Sequence, residues 1–243
     1  AQMCGSPDIG FKHQIEHDMP SVQWGTRKAI LNDLSPAATF IADNYNNPND
    51  SGNVIIEINR IMDECESLYG KLYSTRHVDS AGKPITTFDG QCAKGIINYV
   101  VWSDVFVCPN CSSEIVYWNE AIEKNNRTVS SSFMCPHCGS VLKKGDCTRA
   151  VVASFDPIVG DSVTCSKQLP VMINYTYAGK RYEKRPDEDD IIMATNVDFS
   201  VVKRQIPFMH LPAGDNTEQP IQSHKFEYVH QFFFPRNLLI LGN

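Results

Sequence analysis

Cys108-Pro109-Asn110-Cys111 and Cys135-Pro136-His137-Cys138 are the two stretches on which the reading of this chain turns. The pairs share one spacing, and 23 residues (112–134) separate them. Two residues between thiolates let one tight turn aim both sulfurs at a single tetrahedral ion, with sulfur–metal distances of roughly 2.3 Å. A small residue follows the second thiolate each time, Ser112 and Gly139, which suits a turn whose amides approach the sulfurs. Short β-rich runs lead into and out of each pair: Val105-Phe106-Val107 into Glu114–Trp118, and Ser132–Met134 into Val141-Leu142. That is a zinc-ribbon layout, with Cys108, Cys111, Cys135 and Cys138 as the ligands. Four protein ligands leave no open coordination position, so such a site is structural and not catalytic.

The same four thiols also suit iron, and a C-x-x-C pair also suits redox chemistry. Two copies favour metal over redox, zinc is the expected ion, and His137 is an alternative to one thiolate. The chain has nine cysteines, an odd number without an export signal, which argues against a disulfide framework. The other five (Cys4, Cys65, Cys92, Cys147 and Cys165) read as small buried apolar side chains.

Outside these motifs the 243 residues are 42% hydrophobic and 21% charged, enough apolar material for a packed core. Lys and Arg number 22 against 28 Asp and Glu, a net charge of -6, so nucleic-acid binding has to rest on local charge. No apolar run approaches the ~18 residues of a membrane span. The opening Ala-Gln-Met-Cys-Gly has no basic or apolar leader, so a cytoplasmic protein is expected. The absence of an initiator Met and the apolar run at the last residues suggest a chain cut from something longer.

Residues 1–25, rich in Gly and Pro, read as irregular. Arg27–Leu31 reads as a strand, and Ser35-Pro36 as the capped start of a helix reaching about Tyr45. Val54, Ile55, Ile58, Ile61, Met62, Cys65, Leu68 and Tyr69 recur at three and four, a helix stopped by Gly70 whose stripe reads as core packing. Residues 170–177 and 180–184 flank Ala178-Gly179 as a hairpin, and Asp187–Asp190 reads as the first turn of a helix. Residues 203–223 read as loop, and 235–241 as a helix or strand. Three parts are expected: 1–95, 96–154 and 155–243. Asp33, at a strand tip before a helix, has the placement of an acid that binds ribose hydroxyls, although the same turn is an ordinary strand-to-helix connection.

Thr26–Asn46 (Thr-Arg-Lys-Ala-Ile-Leu-Asn-Asp-Leu-Ser-Pro-Ala-Ala-Thr-Phe-Ile-Ala-Asp-Asn-Tyr-Asn) resembles the segment after the cofactor glycine motif in large bacterial DNA amino-methyltransferases with an inserted zinc ribbon. Ile97–Cys111, followed by Glu114-Ile115 and Trp118, is similar to that family's ribbon entry. Gly179-Lys180-Arg181, Pro186-Asp187 and Phe233–Leu238 also fit its pattern. The resemblance implies an α+β chain: a partial Rossmann-like α/β methyltransferase element, then the Cys4 zinc ribbon, then a β-rich extension. It implies methyl transfer from S-adenosylmethionine to an exocyclic base amine, adenine N6 ahead of cytosine N4, in bacterial restriction–modification or a related anti-phage system. It further implies that Asp33 binds the cofactor ribose and that Leu34 flanks the adenine.

The family's glycine-rich cofactor loop and its Asp/Asn/Ser-Pro-Pro-aromatic motif occur nowhere in this sequence. The chain itself is therefore expected to be inactive and to serve target binding and scaffolding, with DNA as partner. Lys124, Arg127, Lys143, Lys144 and Arg149 outnumber Glu120, Glu123 and Asp146, and the hairpin adds Lys180, Arg181, Lys184 and Arg185 against Glu183. Of these, Lys143, Lys144, Lys180 and Arg181 are the expected phosphate contacts, giving affinity and salt dependence rather than sequence choice. Weak or artificial self-association of the isolated chain is also expected. The alternative is a non-catalytic zinc-ribbon module that binds nucleic acid or protein. The sequons at Asn49, Asn126 and Asn174 read as chance.

Overall fold

The computed structural model describes residues 7–25, 30, 32–47, 50–123, 128–202 and 206–242. It divides the chain into two compact units, residues 1–62 and 63–243. No helix among the described residues is long and apolar enough to cross a membrane.

The first unit is helical. α1 (Ile9–Asp18) occupies a segment expected to be irregular; none of its residues is buried, so no apolar period marks it. α2 (Pro36–Asn46) begins as read, with Ser35 Oγ accepting the amide of Ala38 at 3.4 Å and Pro36 in the first turn. Asp33 Oδ1 accepts the Ser35 amide at 2.8 Å, so this acid builds the turn into α2. Apart from Ile30, which lies in no strand, the strand expected at 27–31 falls outside the described residues. Every strand pairing among the described residues is antiparallel. A Rossmann-like element, which requires a parallel sheet, is thus not shown, and the fold is mixed α+β.

α3 (Ser51–Tyr69) has the expected length and period and runs across the boundary between the units. Its apolar stripe is not core, contrary to the sequence reading: Val54, Ile55, Ile58, Ile61, Met62 and Leu68 are all exposed. Amphipathic spacing shows that a helix has a face to cover, and no described residue covers this one.

The second unit is built on a curled antiparallel sheet in the order β1 (Ser74–Arg76), β2 (Lys94–Val107), β9 (Gln168–Tyr177), β10 (Lys180–Lys184). β2 outruns its neighbours, and its last three residues pair with β3 (Glu114–Val116) while Phe106 and Val107 also pair with β6 (Thr148–Arg149). β4 (Phe133–Met134) and β5 (Val141–Leu142) form one separate two-stranded sheet, and β7 (Val151–Asp156) and β8 (Asp161–Ser166) another. The β9–β10 hairpin turns at Ala178-Gly179 as read, with φ of 47° and 76°, the positive pair that a tight two-residue turn requires. Around it the helices are α4 (Tyr117–Ala121), α5 (Glu188–Thr195), α6 (Asp215–His224) and α7 (Pro235–Leu241). α6 replaces part of an expected loop: its sequence is polar and Pro220 sits inside it, two features that argue against a helix when read locally.

Tyr175 on β9 is fully buried with Ile97 and Ile173, and its hydroxyl hydrogen-bonds His77 Nδ1 at 2.9 Å. The β2 backbone comes so close to this ring that a Cβ on Gly95 would lie 2.5 Å from Tyr175 Cδ2 and 2.8 Å from the Thr176 carbonyl. Gly95→Ala is expected to destabilise the unit by about 1–3 kcal/mol, read from the urea midpoint at constant slope.

Asp187 caps α5, accepting the Asp190 amide at 3.0 Å. Lys184, only 8% exposed, reaches Asp187 at 2.9 Å and Asp190 at 2.8 Å, and Arg76 pairs with Asp187 at 3.1 Å. Burial by itself raises the Asp187 carboxyl, but hydrogen bonds from Arg76 and Lys184 outweigh it and hold the group well below the usual carboxylate range. A depressed folded value means that the stabilisation is complete while the unfolded carboxyl is also ionised. Stability is therefore expected to stay level from neutral pH to about pH 5 and to fall below about pH 4, where the unfolded chain takes up protons first. Acid titration of the unfolding midpoint checks this, and Lys184→Met should flatten the fall.

Candidate metal centre

The two C-x-x-C turns have the same backbone wiring. In the first, the Cys108 amide donates to the Ser113 carbonyl and the Ser112 amide to the Cys108 carbonyl, both at 2.9 Å. In the second, the Cys135 amide donates to Ser140 and the Gly139 amide to Cys135, again both at 2.9 Å. The small residues singled out by sequence occupy the left-handed position of each turn, Ser112 at φ 58° and Gly139 at φ 72°. β2 delivers the first turn and β3 leaves it, while β4 and β5 flank the second.

Folding brings the turns face to face. Cys108 Sγ lies 3.8 Å from Cys138 Sγ, and Cys111 Sγ lies 3.7 Å from Cys135 Sγ. All four sulfurs fall within 4.8 Å of one another. Four sulfurs at about 2.3 Å from a tetrahedral ion stand about 3.8 Å apart, so the cluster has the dimensions of a four-thiolate metal site. These four cysteines are positioned to hold a metal ion. His137 is exposed and outside the cluster.

The sulfurs are not equivalent. The Ser140 hydroxyl, 3.2 Å away, and the Ser140 backbone lower the Cys138 thiol to about 6. Ser113 lowers Cys111 in the same way, while burial pushes Cys135 up to about 11. A cation is what allows all four to be thiolates together, since four unneutralised negative sulfurs at this spacing repel.

Beneath the sulfurs, Ile115, Ala121, Phe133 and Leu142 form a small core with Cys108 and Cys135. Tyr117 meets Phe106 and Phe133 edge-on, at 5.4 and 5.6 Å between centroids, so it belongs to this core. Cys147 packs against the same cluster, half-buried, without joining the four. The reading of the remaining cysteines as buried holds poorly. Cys92 is exposed, Cys65, Cys147 and Cys165 are half-buried, and Cys4 lies outside the described residues.

The basic residues separate into two places. Lys143 and Lys144 are exposed beside the ribbon, with Lys144 Nζ 5.0 Å from the Tyr117 ring centre. Lys180 and Arg181 are exposed beside the hairpin turn, at the opposite end of β2. Eleven residues of β2, from Ile96 to Phe106, lie between the two places. Two cations counted from sequence are spent internally: Lys184 in the pairs described above, and Arg149, whose Nη2 is 3.0 Å from Asp104. Lys124 and Arg127 lie outside the described residues, as do Asn49 and Asn126. Asn174 is buried and bonded to Asn98 at 2.9 Å, which removes it as a glycosylation acceptor.

Asp33 and Leu34 are both exposed. They do not by themselves form a cradle for S-adenosylmethionine. Sequence reasoning also missed a buried pair in the second unit, His230 Nε2 against Asp156 Oδ2 at 2.7 Å. The partners are 74 residues apart, and no local motif announces them.

Comparison of the chain with known protein families, with curated proteins and with solved structures gives no match. The cluster geometry has its own test. Cobalt(II) titrated into metal-free protein is expected to bind one ion per chain with the absorption of a tetrahedral tetrathiolate, and Cys135→Ser to abolish that spectrum.

Proposed function

We propose that the chain is the DNA-contacting, metal-stabilised part of an S-adenosylmethionine-dependent DNA amino-methyltransferase, with a structural zinc ion held by Cys108, Cys111, Cys135 and Cys138. The observation that carries the proposal is the four-thiolate cluster at the end of β2, because its first pair, Cys108 and Cys111, falls inside the 97–118 block that resembles the ribbon entry of that family. Zinc is favoured over iron by the closed, redox-silent tetrahedral role that a small ribbon core requires. Exposed cations at both ends of β2, Lys143 and Lys144 at one and Lys180 and Arg181 at the other, support phosphate contacts at two points of a duplex.

Asp33 is assigned to the cofactor ribose on the resemblance alone, and no methyl-transfer step is derived from it. When bound, S-adenosylmethionine would supply an electrophilic methyl group. This sequence has no motif to align a base amine with that group, so the chain alone is assigned binding and not transfer.

Protein purified without added zinc should contain about one zinc per chain, with four thiols becoming reactive on chelation. Its affinity for duplex DNA should fall steeply with salt, and replacing Lys143, Lys180 and Arg181 singly with Ala should each reduce the salt slope by about 1. Zinc-loaded protein that ignores duplex DNA at low salt overturns the DNA reading and leaves a ribbon module for a protein partner.

A further inference from the structure

A cavity of about 510 Å³ opens in the second unit, away from the thiolate cluster. Its wall is aromatic: Trp102 of β2 stacks on Phe234 at 4.0 Å and 12°, and Phe155, Phe226, Phe232 and Phe233 add to it. The size suits a small organic ligand, for which sites run from ~300 to 1,000 Å³. What sets this cavity apart from a packing defect is its polar content. His230 is 4% exposed, and Asp156 holds its Nε2 at 2.7 Å, which fixes the ring. Its Nδ1 is buried and has no hydrogen-bond partner among the described residues, and the same is true of Nδ1 of His224. Both histidines line the cavity.

Those facts narrow the ligand. An aliphatic ligand would leave two buried imidazole nitrogens unsatisfied, a state that native structures avoid. Among the described residues no Lys, Arg or Glu lines the cavity, and the one carboxylate there, Asp156, already serves His230, so the described lining suits an uncharged ligand. Burial and the nearby Arg149 charge hold the His224 imidazole below its ordinary range, so it is neutral and offers one donor and one acceptor. A flat, uncharged ring with a polar edge meets every condition: its faces go against the aromatic wall and its edge to the histidines.

We propose that this cavity binds a purine or pyrimidine base, stacked against the Trp102–Phe234 wall and hydrogen-bonded at its edge by His224 and His230. The choice of a nucleobase among flat heterocycles rests on the DNA reading above. The base arrives either as a free nucleoside or as an unstacked base presented by a DNA strand, a form that enzymes acting on bases commonly require.

The test uses the zinc-loaded chain and follows tryptophan fluorescence during titration with adenosine, cytidine, a short single-stranded oligonucleotide and an abasic strand of equal length. Saturable quenching by a nucleoside is expected, and Trp102→Phe should remove the signal. His230→Phe keeps the ring volume without the nitrogen and should weaken binding at least about tenfold. Phe155→Ala changes a side chain that is 67% exposed and should weaken binding too, which decides the matter if His230→Phe fails to keep its zinc. Competition by the oligonucleotide but not by the abasic strand assigns the base to DNA; adenosine binding without such competition assigns it to a free nucleoside. No quenching at about 1 mM nucleoside, or binding indifferent to both variants, overturns the proposal. Duplex retention measured in parallel separates the two readings: duplex binding without nucleoside binding sinks the cavity alone, and nucleoside binding without duplex binding sinks the DNA reading alone.

Discussion

The second unit depends on a single strand that serves two sheets. β2 is 14 residues long; its first part pairs with β9 and its last part with β3 and β6. Side chains alternate along a strand, so a slip of one residue would exchange every inward group for an outward one. The pairing with β9 shifts register twice, by an extra residue on β2 at Asn98 and by one on β9 at Val171. Ile97 packs in the Tyr175 cluster, and Val105, Phe106 and Cys108 are buried farther along the chain, Cys108 in the core beneath the sulfurs. Asp104 pins the crossover, accepting from Arg149 of β6 at 3.0 Å and Gln168 of β9 at 3.0 Å. Burial would raise that carboxyl, but Gln168 and Arg149 outweigh it and keep it ionised. The position of the first C-x-x-C turn is thus set by register in a sheet whose other residues have no part in metal binding.

The legible parts of the sequence were those whose chemistry is local. The four thiolates, the small residues in their turns, the Ser35 cap, the Ala178-Gly179 hairpin and the acid-rich start of α5 each lie within a few residues of the groups they organise. Each could therefore be read without knowing the fold. The illegible parts were set by distance. Lys184 looks like a solvated hairpin cation until α5 returns and places Asp187 and Asp190 against it. Asp156 and His230 carry no local signal, because only the packing of the β7–β8 hairpin near the segment before α7 brings them together. α3 is the opposite failure. Its period is legible, but period reports that a face is apolar and not that anything covers it.

Counting charge along the chain misjudged the electrostatics for the same reason. Arg149 and Lys184 hold strands and a helix cap, and their charge is largely neutralised by the carboxylates they touch. Lys144 lies over two aromatic rings, with its Nζ 5.0 Å from Tyr117 and 5.8 Å from Phe106, a use that stabilises the ribbon core and leaves the ammonium at the surface. Of the described cations singled out from the sequence, Lys143 and Lys144 remain exposed at one end of β2 and Lys180, Arg181 and Arg185 at the other.

The ribbon and the aromatic cavity divide the work of the unit along β2. Six buried residues beneath the sulfurs, two of them cysteines, are too small a core to fold unaided, so metal affinity at this end is folding free energy. A four-thiolate site has no vacant position and no unsatisfied donor left for a ligand. Six residues back along the same strand the situation reverses: Trp102 borders open space, and two buried imidazole nitrogens lack partners. Among the described residues, the buried side-chain polar atoms without partners are both at that end. A metal ion held by the four cysteines would make that end of the scaffold rigid, and the recognition we propose lies on the part of the strand that such an ion would not touch.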